Sequence, residues 1–159
     1  MTLVALTGIP GTGKSTICNI LRGNNFRCYE ALQICGSNEC MEGNEVDIDC
    51  LSSLWARRDE EDVIVASHYS HLLGADFVII LERDPELVEK SLLARGYSSE
   101  KIFENMDSLY SDIIYQESLD LLPSIRICRI MNKEGKPAET AEAIMKVALN
   151  IFSGNASKL

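Results

Sequence analysis

Short, continuous apolar segments alternate along the chain with longer segments in which apolar residues recur at helical spacing. Continuous runs such as residues 63–66 and 76–81 are typical of strands buried on both faces of a parallel sheet. The pattern predicts strands at residues 2–6, 26–29, 63–66, 76–81 and 125–130. It predicts helices at residues 15–21, 50–58, 85–95, 99–119 and 137–152.

Local signals support the boundaries of these elements. Asp49 is expected to cap the second helix, and Asp84 followed by Pro85 marks the start of the third. Residues 36–44 and 67–74 are rich in polar and turn-forming residues, so both segments are predicted to be loops.

Strands that alternate with helices predict a single α/β domain over residues 1–159, with a five-stranded parallel sheet between layers of helices. Ligands of such folds bind at the carboxyl ends of the strands. We therefore expect a site formed by residues 8–16, residues 67–71, residues 82–84 and the segment after Ile130.

Charge and hydropathy exclude several classes of partner. The chain has 24 acidic residues and 15 Lys and Arg residues, a formal net charge of −9, so broad affinity for DNA or RNA is not expected. No apolar run reaches the length of a membrane span, and the first predicted strand follows Met1 directly, leaving no room for a signal peptide. We expect a cytoplasmic protein with no membrane or DNA partner.

The six cysteines form no Cys-x-x-Cys pair. Cys28, Cys35, Cys40 and Cys50 could supply a zinc site, but their spacing is irregular. Free thiols that pack as small apolar side chains are the favoured interpretation.

The segment Gly8-Ile9-Pro10-Gly11-Thr12-Gly13-Lys14-Ser15 fits the phosphate-binding loop pattern, and it lies between a predicted strand and a predicted helix. Backbone N–H groups at the start of that helix can bind phosphate oxygens. Lys14 is expected to bridge the β- and γ-phosphates of ATP, and the Ser15 hydroxyl to ligate Mg²⁺. The expected phosphate-binding residues are Gly11, Thr12, Gly13, Lys14, Ser15 and Thr16.

A phosphate loop alone leaves kinases, ATPases and GTPases open. The chain has no Asn-Lys-x-Asp sequence for guanine recognition, because Asn132-Lys133 is followed by Glu134-Gly135. Its length instead suits small phosphotransferases, which combine a phosphate loop with a short acceptor-binding arm and a mobile lid that carries an arginine.

Three further blocks accompany the phosphate loop: Val-Asp-Ile-Asp at 46–49, Val-Ile-Val-x-x-His-x-Ser-His-Leu-Leu at 63–73, and Ala-Arg-Gly-Tyr-Ser-x-Glu-Lys-Ile-x-Glu-Asn at 94–105. With these blocks the chain resembles the adenylate kinase isoenzyme 6 family, most of all its compact archaeal-type members. The resemblance implies a P-loop fold like that of nucleoside monophosphate kinases, with an acceptor arm at about 30–60 and a lid at about 95–105. It also implies ATP, Mg²⁺ and AMP as ligands, and a role in small ribosomal subunit assembly.

The resemblance implies roles for two more residues. His68 matches a histidine near the phosphates, and Arg95 matches the lid arginine that neutralises charge on the transferred phosphoryl group. Ala66 stands where most members carry an aspartate that helps to position Mg²⁺. Glu82 stands where many carry an arginine, and Glu82, Asp47 or Asp49 is the acid expected to replace the missing aspartate.

The sequence thus supports transfer of a phosphoryl group from ATP to AMP or another nucleoside monophosphate, with ATP hydrolysis as a further activity. One alternative is an ATP-driven assembly factor that binds a ribosomal protein of the small subunit. A kinase for an unrelated small metabolite is a third interpretation, and the blocks at 63–73 and 94–105 argue against it.

Overall fold

A computed structural model describes residues 2–36, 39–58 and 61–155. In chain order its strands and helices are β1 (Leu3–Thr7), α1 (Lys14–Gly23), β2 (Cys28–Glu30), β3 (Met41–Glu42), β4 (Glu45–Val46), α2 (Ile48–Ala56), β5 (Val63–Ala66), β6 (Phe77–Glu82), α3 (Pro85–Ala94), α4 (Ser99–Tyr110), α5 (Ile113–Leu121), β7 (Ile127–Met131) and α6 (Pro137–Phe152). Short 3₁₀ turns occur at Ala31–Ile34, Ser70–Leu72 and Ser124–Arg126.

The predicted five-stranded parallel sheet is confirmed, with the strand order β2-β5-β1-β6-β7. β1 lies at the centre, and all five of its residues are buried. Its side chains alternate between the two faces of the sheet. Val4 and Leu6 pack with α1 and α6, whereas Leu3 and Ala5 face clusters that contain residues of α2 and α5.

The segment between β2 and β5 differs from the prediction in two respects. Residues 36–44, predicted to be a loop, include β3, which pairs with β4 in an antiparallel two-stranded hairpin. The N-cap of α2 is Asp47 rather than Asp49, because the Asp47 carboxylate accepts a hydrogen bond from the Cys50 N–H at 2.9 Å. Asp49 lies in the first turn, where its negative charge favours the positive end of the helix.

The prediction of one helix over 99–119 is also wrong, because α4 and α5 are separate helices. Asp112 lies between them with φ 56°, a left-handed conformation that interrupts a helix. Its carboxylate accepts two hydrogen bonds from the Arg129 guanidinium, each 2.8 Å long, so the break is fixed to β7.

The cysteine prediction needs correction as well. Cys18 and Cys28 form a buried disulfide between α1 and β2, and a second disulfide joins Cys40 to Cys50. In each pair the Cα atoms are 5.5 Å apart. A zinc site at Cys28, Cys35, Cys40 and Cys50 is therefore excluded, and among the described residues only Cys35 and Cys128 are free thiols.

Candidate active site

The phosphate loop connects β1 to α1 and fits closely between its neighbours. A Cβ atom on Gly8 would lie 2.5 Å from the carbonyl oxygen of Leu81 in β6. Gly13 has φ +98°, and a Cβ atom there would lie 2.5 Å from the Asn132 side-chain nitrogen. Glycine is required at Gly8 because the loop backbone approaches the backbone of β6 more closely than a side chain allows, and at Gly13 the left-handed φ favours glycine.

Two side chains at the ends of strands hold the loop. The Asn132 amide donates to the carbonyl of Thr12 at 2.8 Å and accepts from the Thr140 hydroxyl at 3.1 Å. Arg83 donates to the carbonyl of Gly11 at 3.0 Å and to the Ser91 hydroxyl at 2.9 Å. The segments after β6 and β7 were expected at the site, but sequence reasoning did not assign these two contacts.

The Lys14 ammonium group lies inside the loop. It donates to the carbonyl oxygens of Gly8 at 2.7 Å and Ile9 at 3.1 Å. Burial and then the positive charge of Arg95 lower the pKa of Lys14 to about 7, while the Glu30 carboxylate acts in the opposite direction. The group is thus placed where phosphate oxygens are expected, and an anion there would favour its charged form.

Ser15 and Thr16 lie exposed in the first turn of α1. The Ser15 hydroxyl donates to Oε1 of Glu30 at 2.9 Å. Glu30 ends β2, so the carboxylate lies at the edge of the sheet where ligands of this architecture bind. Sequence reasoning missed Glu30.

A cavity of about 430 Å³ opens in front of the loop. It brings together five predicted site residues, Gly11, Lys14, Ser15, His68 and Arg95, and adds Glu30. The opposite wall is apolar in part and belongs to the predicted acceptor arm. It includes Leu32, Met41, Asn44 and Val46.

The two histidines have different environments. His68 follows β5, lies exposed at the cavity and contacts the Tyr69 ring edge-to-face at 4.8 Å between centroids. Desolvation, followed by the positive charge of Lys14, lowers the pKa of His68. His71 is buried, with Nδ1 3.0 Å from the Thr7 hydroxyl and Nε2 2.9 Å from the Glu117 carboxylate. His71 therefore joins β1 to α5 and has a structural role.

Arg95 caps the C-terminus of α3 and lines the cavity. Its side chain is exposed. The next basic residue of the predicted lid, Lys101, lies over the Tyr97 ring at 4.6 Å. Of these two lid cations, Arg95 lines the cavity and Lys101 does not.

Comparisons with known proteins agree with this geometry. The sequence profile of a family described as "AAA domain" matches residues 4–112. A protein of Thermoplasma acidophilum named "Putative adenylate kinase" is 48% identical over 83% of this chain and 88% of its own length. A protein of the same name from Thermoplasma volcanium is 43% identical over 91% of this chain and 93% of its own length. The chain belongs to the adenylate kinase isoenzyme 6 family, as an archaeal-type member.

The fold is shared with more distant kinases. The crystal structure of shikimate kinase from Acinetobacter baumannii, solved with shikimate, superposes with a TM-score of 0.63 at 13% identity and covers 94% of both chains. At this identity the likeness shows the fold alone.

The acids expected to replace the family's aspartate at position 66 do not reach the cavity. Ala66 itself is fully buried. Glu82 forms an ion pair with Arg129, Asp47 caps α2, and Asp49 lies in the first turn of that helix. Among the described residues, Glu30 is the one acid that lines this cavity.

The Ser15 hydroxyl and the Glu30 carboxylate together fit Mg²⁺. A hydroxyl and a carboxylate are hard oxygen ligands, and Mg²⁺ in phosphotransferases binds one or two such groups together with phosphate oxygens and water. The described part of the chain contains no group of three His, Cys, Asp or Glu side chains that could hold a metal ion.

No helix among the described residues is long and apolar enough to cross a membrane.

Proposed function

We propose that this chain transfers the γ-phosphoryl group of ATP to AMP or another nucleoside monophosphate, in the cytoplasm and with Mg²⁺. The observation that supports it most is the single cavity that joins the phosphate loop to the arm. Residues from about 30 to 60 form the acceptor arm and residues from about 95 to 105 form the lid. Residues 37, 38, 59 and 60 of that arm lie outside the described part of the chain.

The reaction needs no covalent enzyme intermediate. A phosphate oxygen of the acceptor forms a bond to the γ-phosphorus while the bond from that phosphorus to the β–γ bridging oxygen breaks, and ADP leaves. Loop N–H groups and Lys14 hold the donor phosphates, and Arg95 neutralises charge on the transferred group. His68 lines the cavity at the end of β5, from where it would contact the same phosphates. When bound, Mg²⁺ would neutralise charge on the phosphates, and the Ser15 hydroxyl would hold it.

The alternative function, an ATP-driven assembly factor, would use the same site. ATP binding and slow hydrolysis would switch the lid, and the partner would be a basic ribosomal protein of the small subunit. The net charge of −9 favours a basic protein over RNA. This function predicts release of inorganic phosphate that does not depend on an acceptor nucleotide.

³¹P NMR of the products separates the two functions. ATP with Mg²⁺ is incubated alone and with each nucleoside monophosphate in turn, and Lys14→Met serves as the blank. The kinase predicts nucleoside diphosphates that appear only with an acceptor and vanish in the blank. Inorganic phosphate released equally with and without every acceptor would contradict the kinase and leave the ATPase.

A further inference from the structure

The carboxylate of Glu30 lies one strand away from Ala66, the position at which the family resemblance implies an aspartate. β2 and β5 are neighbouring parallel strands, and Glu30 and Ala66 are paired Cα positions in their register. Both residues end their strands at the edge of the sheet that faces the phosphate loop. A carboxylate at position 30 instead of position 66 therefore lies on the neighbouring strand, at the same level along the strands.

The Glu30 side chain is directed at the expected metal ligand. Its Oε1 accepts the Ser15 hydroxyl proton at 2.9 Å. Because that proton points to Glu30, the lone pairs of the Ser15 oxygen remain free to bind a cation. The remaining carboxylate oxygen can accept hydrogen bonds from water on a bound cation.

The backbone at Glu30 is fixed as well. Its N–H donates to the Gln33 side-chain oxygen at 2.8 Å, at the start of the 3₁₀ turn. The Trp55 indole N–H donates to the carbonyl of Ala31, the next residue, at 3.0 Å. Two side chains thus hold the end of β2 in place, so the carboxylate is positioned before any ligand binds.

We propose that Glu30 is the positioning residue for Mg²⁺ in this chain: it orients the Ser15 hydroxyl and holds metal-bound water, in place of an acid at position 66. This inference rests on the proposed function, because it assumes that ATP binds at the phosphate loop with its metal.

The test measures ATP affinity by calorimetry with excess Mg²⁺ and again with EDTA, and the ratio of the two affinities gives the metal coupling. In Glu30→Gln the coupling is expected to fall roughly tenfold, in the range for outer-shell ligands. The metal-free affinity should stay the same or rise, since a negative charge near the phosphates is removed. A merely structural role would lower both affinities together, and that result, or an unchanged ratio, would overturn the proposal.

Two further variants sharpen the test. Glu42→Gln removes an acid from the hairpin strand β3 outside the cavity lining, so its metal coupling should equal that of the wild type. Glu30→Gln combined with Ala66→Asp should restore most of the coupling. If the double variant has the melting temperature of the wild type but keeps the reduced metal coupling of Glu30→Gln, positions 30 and 66 are not equivalent.

The outcome also separates this proposal from the proposed function. Wild-type protein that binds no ATP, with or without Mg²⁺, would contradict the kinase itself. If the wild-type protein shows metal coupling and Glu30→Gln shows the same coupling, the result would contradict only the role of Glu30.

Discussion

The phosphate loop and the acceptor arm border the same cavity but are stabilised in different ways. The loop follows the central strand and is held by Arg83 and Asn132, which follow β6 and β7 on one side of that strand. The arm consists of a 3₁₀ turn, a hairpin of two-residue strands and α2, and it is held by one disulfide and by an apolar cluster that it shares with β1 and β5. The donor loop is thus held by hydrogen bonds from strand ends, whereas the acceptor arm depends on apolar packing and a disulfide. ATP binding and acceptor binding should therefore respond to different substitutions.

The strongest test of this difference uses two glycines with positive φ. A Cβ atom on Gly13 meets the Asn132 side chain at 2.5 Å, while Gly43 (φ +63°), in the hairpin, has nothing within 4 Å. Gly13→Ala should weaken ATP binding by roughly 100-fold, because it displaces the loop from its productive geometry. Gly43→Ala should cost about 1 kcal/mol of stability through its backbone conformation and leave ATP affinity unchanged. Calorimetric ATP titrations and urea unfolding of both variants measure this, and equal losses of ATP affinity would refute the separation.

The pH dependence of ATP binding should report on Lys14. Its pKa of about 7 in the free protein means that the group is largely neutral above that pH, whereas phosphates favour the charged form. ATP affinity should therefore fall by about tenfold per pH unit from pH 7 upward, until the pKa in the complex is reached. Lys14→Arg stays charged and should show a flat profile. A slope in Lys14→Arg equal to that of the wild type would assign the effect to another group.

The lowered pKa of Lys14 should also make the free energy of unfolding depend on pH. The unfolded chain keeps its Lys14 proton up to about 10.5, and the folded chain loses it near 7. Between these values the unfolded state binds more protons, so the free energy of unfolding should rise with pH. The rise should be absent from Lys14→Met, and urea unfolding at several pH values would show whether it is.

The two disulfides offer a matched pair, because each joins cysteines 10 residues apart. By loop entropy, Cys40→Ala with Cys50→Ala, and Cys18→Ala with Cys28→Ala, should each lower the free energy of unfolding by about 2–3 kcal/mol. Only the Cys40 and Cys50 pair belongs to the arm, so only its removal should raise the KM for the acceptor nucleotide. Steady-state kinetics with the acceptor varied would test this. Equal KM values for the two double variants would show that the arm does not bind the acceptor.

The smallest expected effect is at Trp55. Trp55→Phe keeps most of the buried ring but removes the N–H that donates to Ala31, so stability should fall by about 1 kcal/mol. ATP affinity without Mg²⁺ should not change, because Trp55 lies outside the cavity lining. Urea unfolding and ATP titration with EDTA would measure the two quantities, and a loss of metal-free ATP affinity would contradict the assignment.

The central sheet and the phosphate loop were predictable because their information is local. Continuous apolar runs specify buried strands, and the loop's residues are contiguous in sequence. The contacts that complete the site are not local. Glu30 meets Ser15 across 15 residues, Arg83 meets Gly11 across 72, and Asn132 meets Thr12 across 120.

The arm was predicted less well for a different reason. Strands of two residues are too short to show any periodicity, so β3 and β4 had no signal in the hydrophobic pattern. The choice between Asp47 and Asp49 as N-cap depended on which carboxylate reaches a free N–H group, and one residue decides it. Disulfide pairing likewise depends on which sulfur atoms the fold brings together.

The most direct measurement is the affinity for a molecule in which two adenosines are joined by five phosphates, because it occupies a donor and an acceptor site at once. If one cavity holds both nucleotides, this molecule should bind with one-to-one stoichiometry and at least about 100-fold more tightly than ATP. Gly13→Ala should weaken its binding by a large factor, and removal of the Cys40–Cys50 disulfide by a smaller one. Binding no tighter than that of ATP would contradict a shared cavity for donor and acceptor.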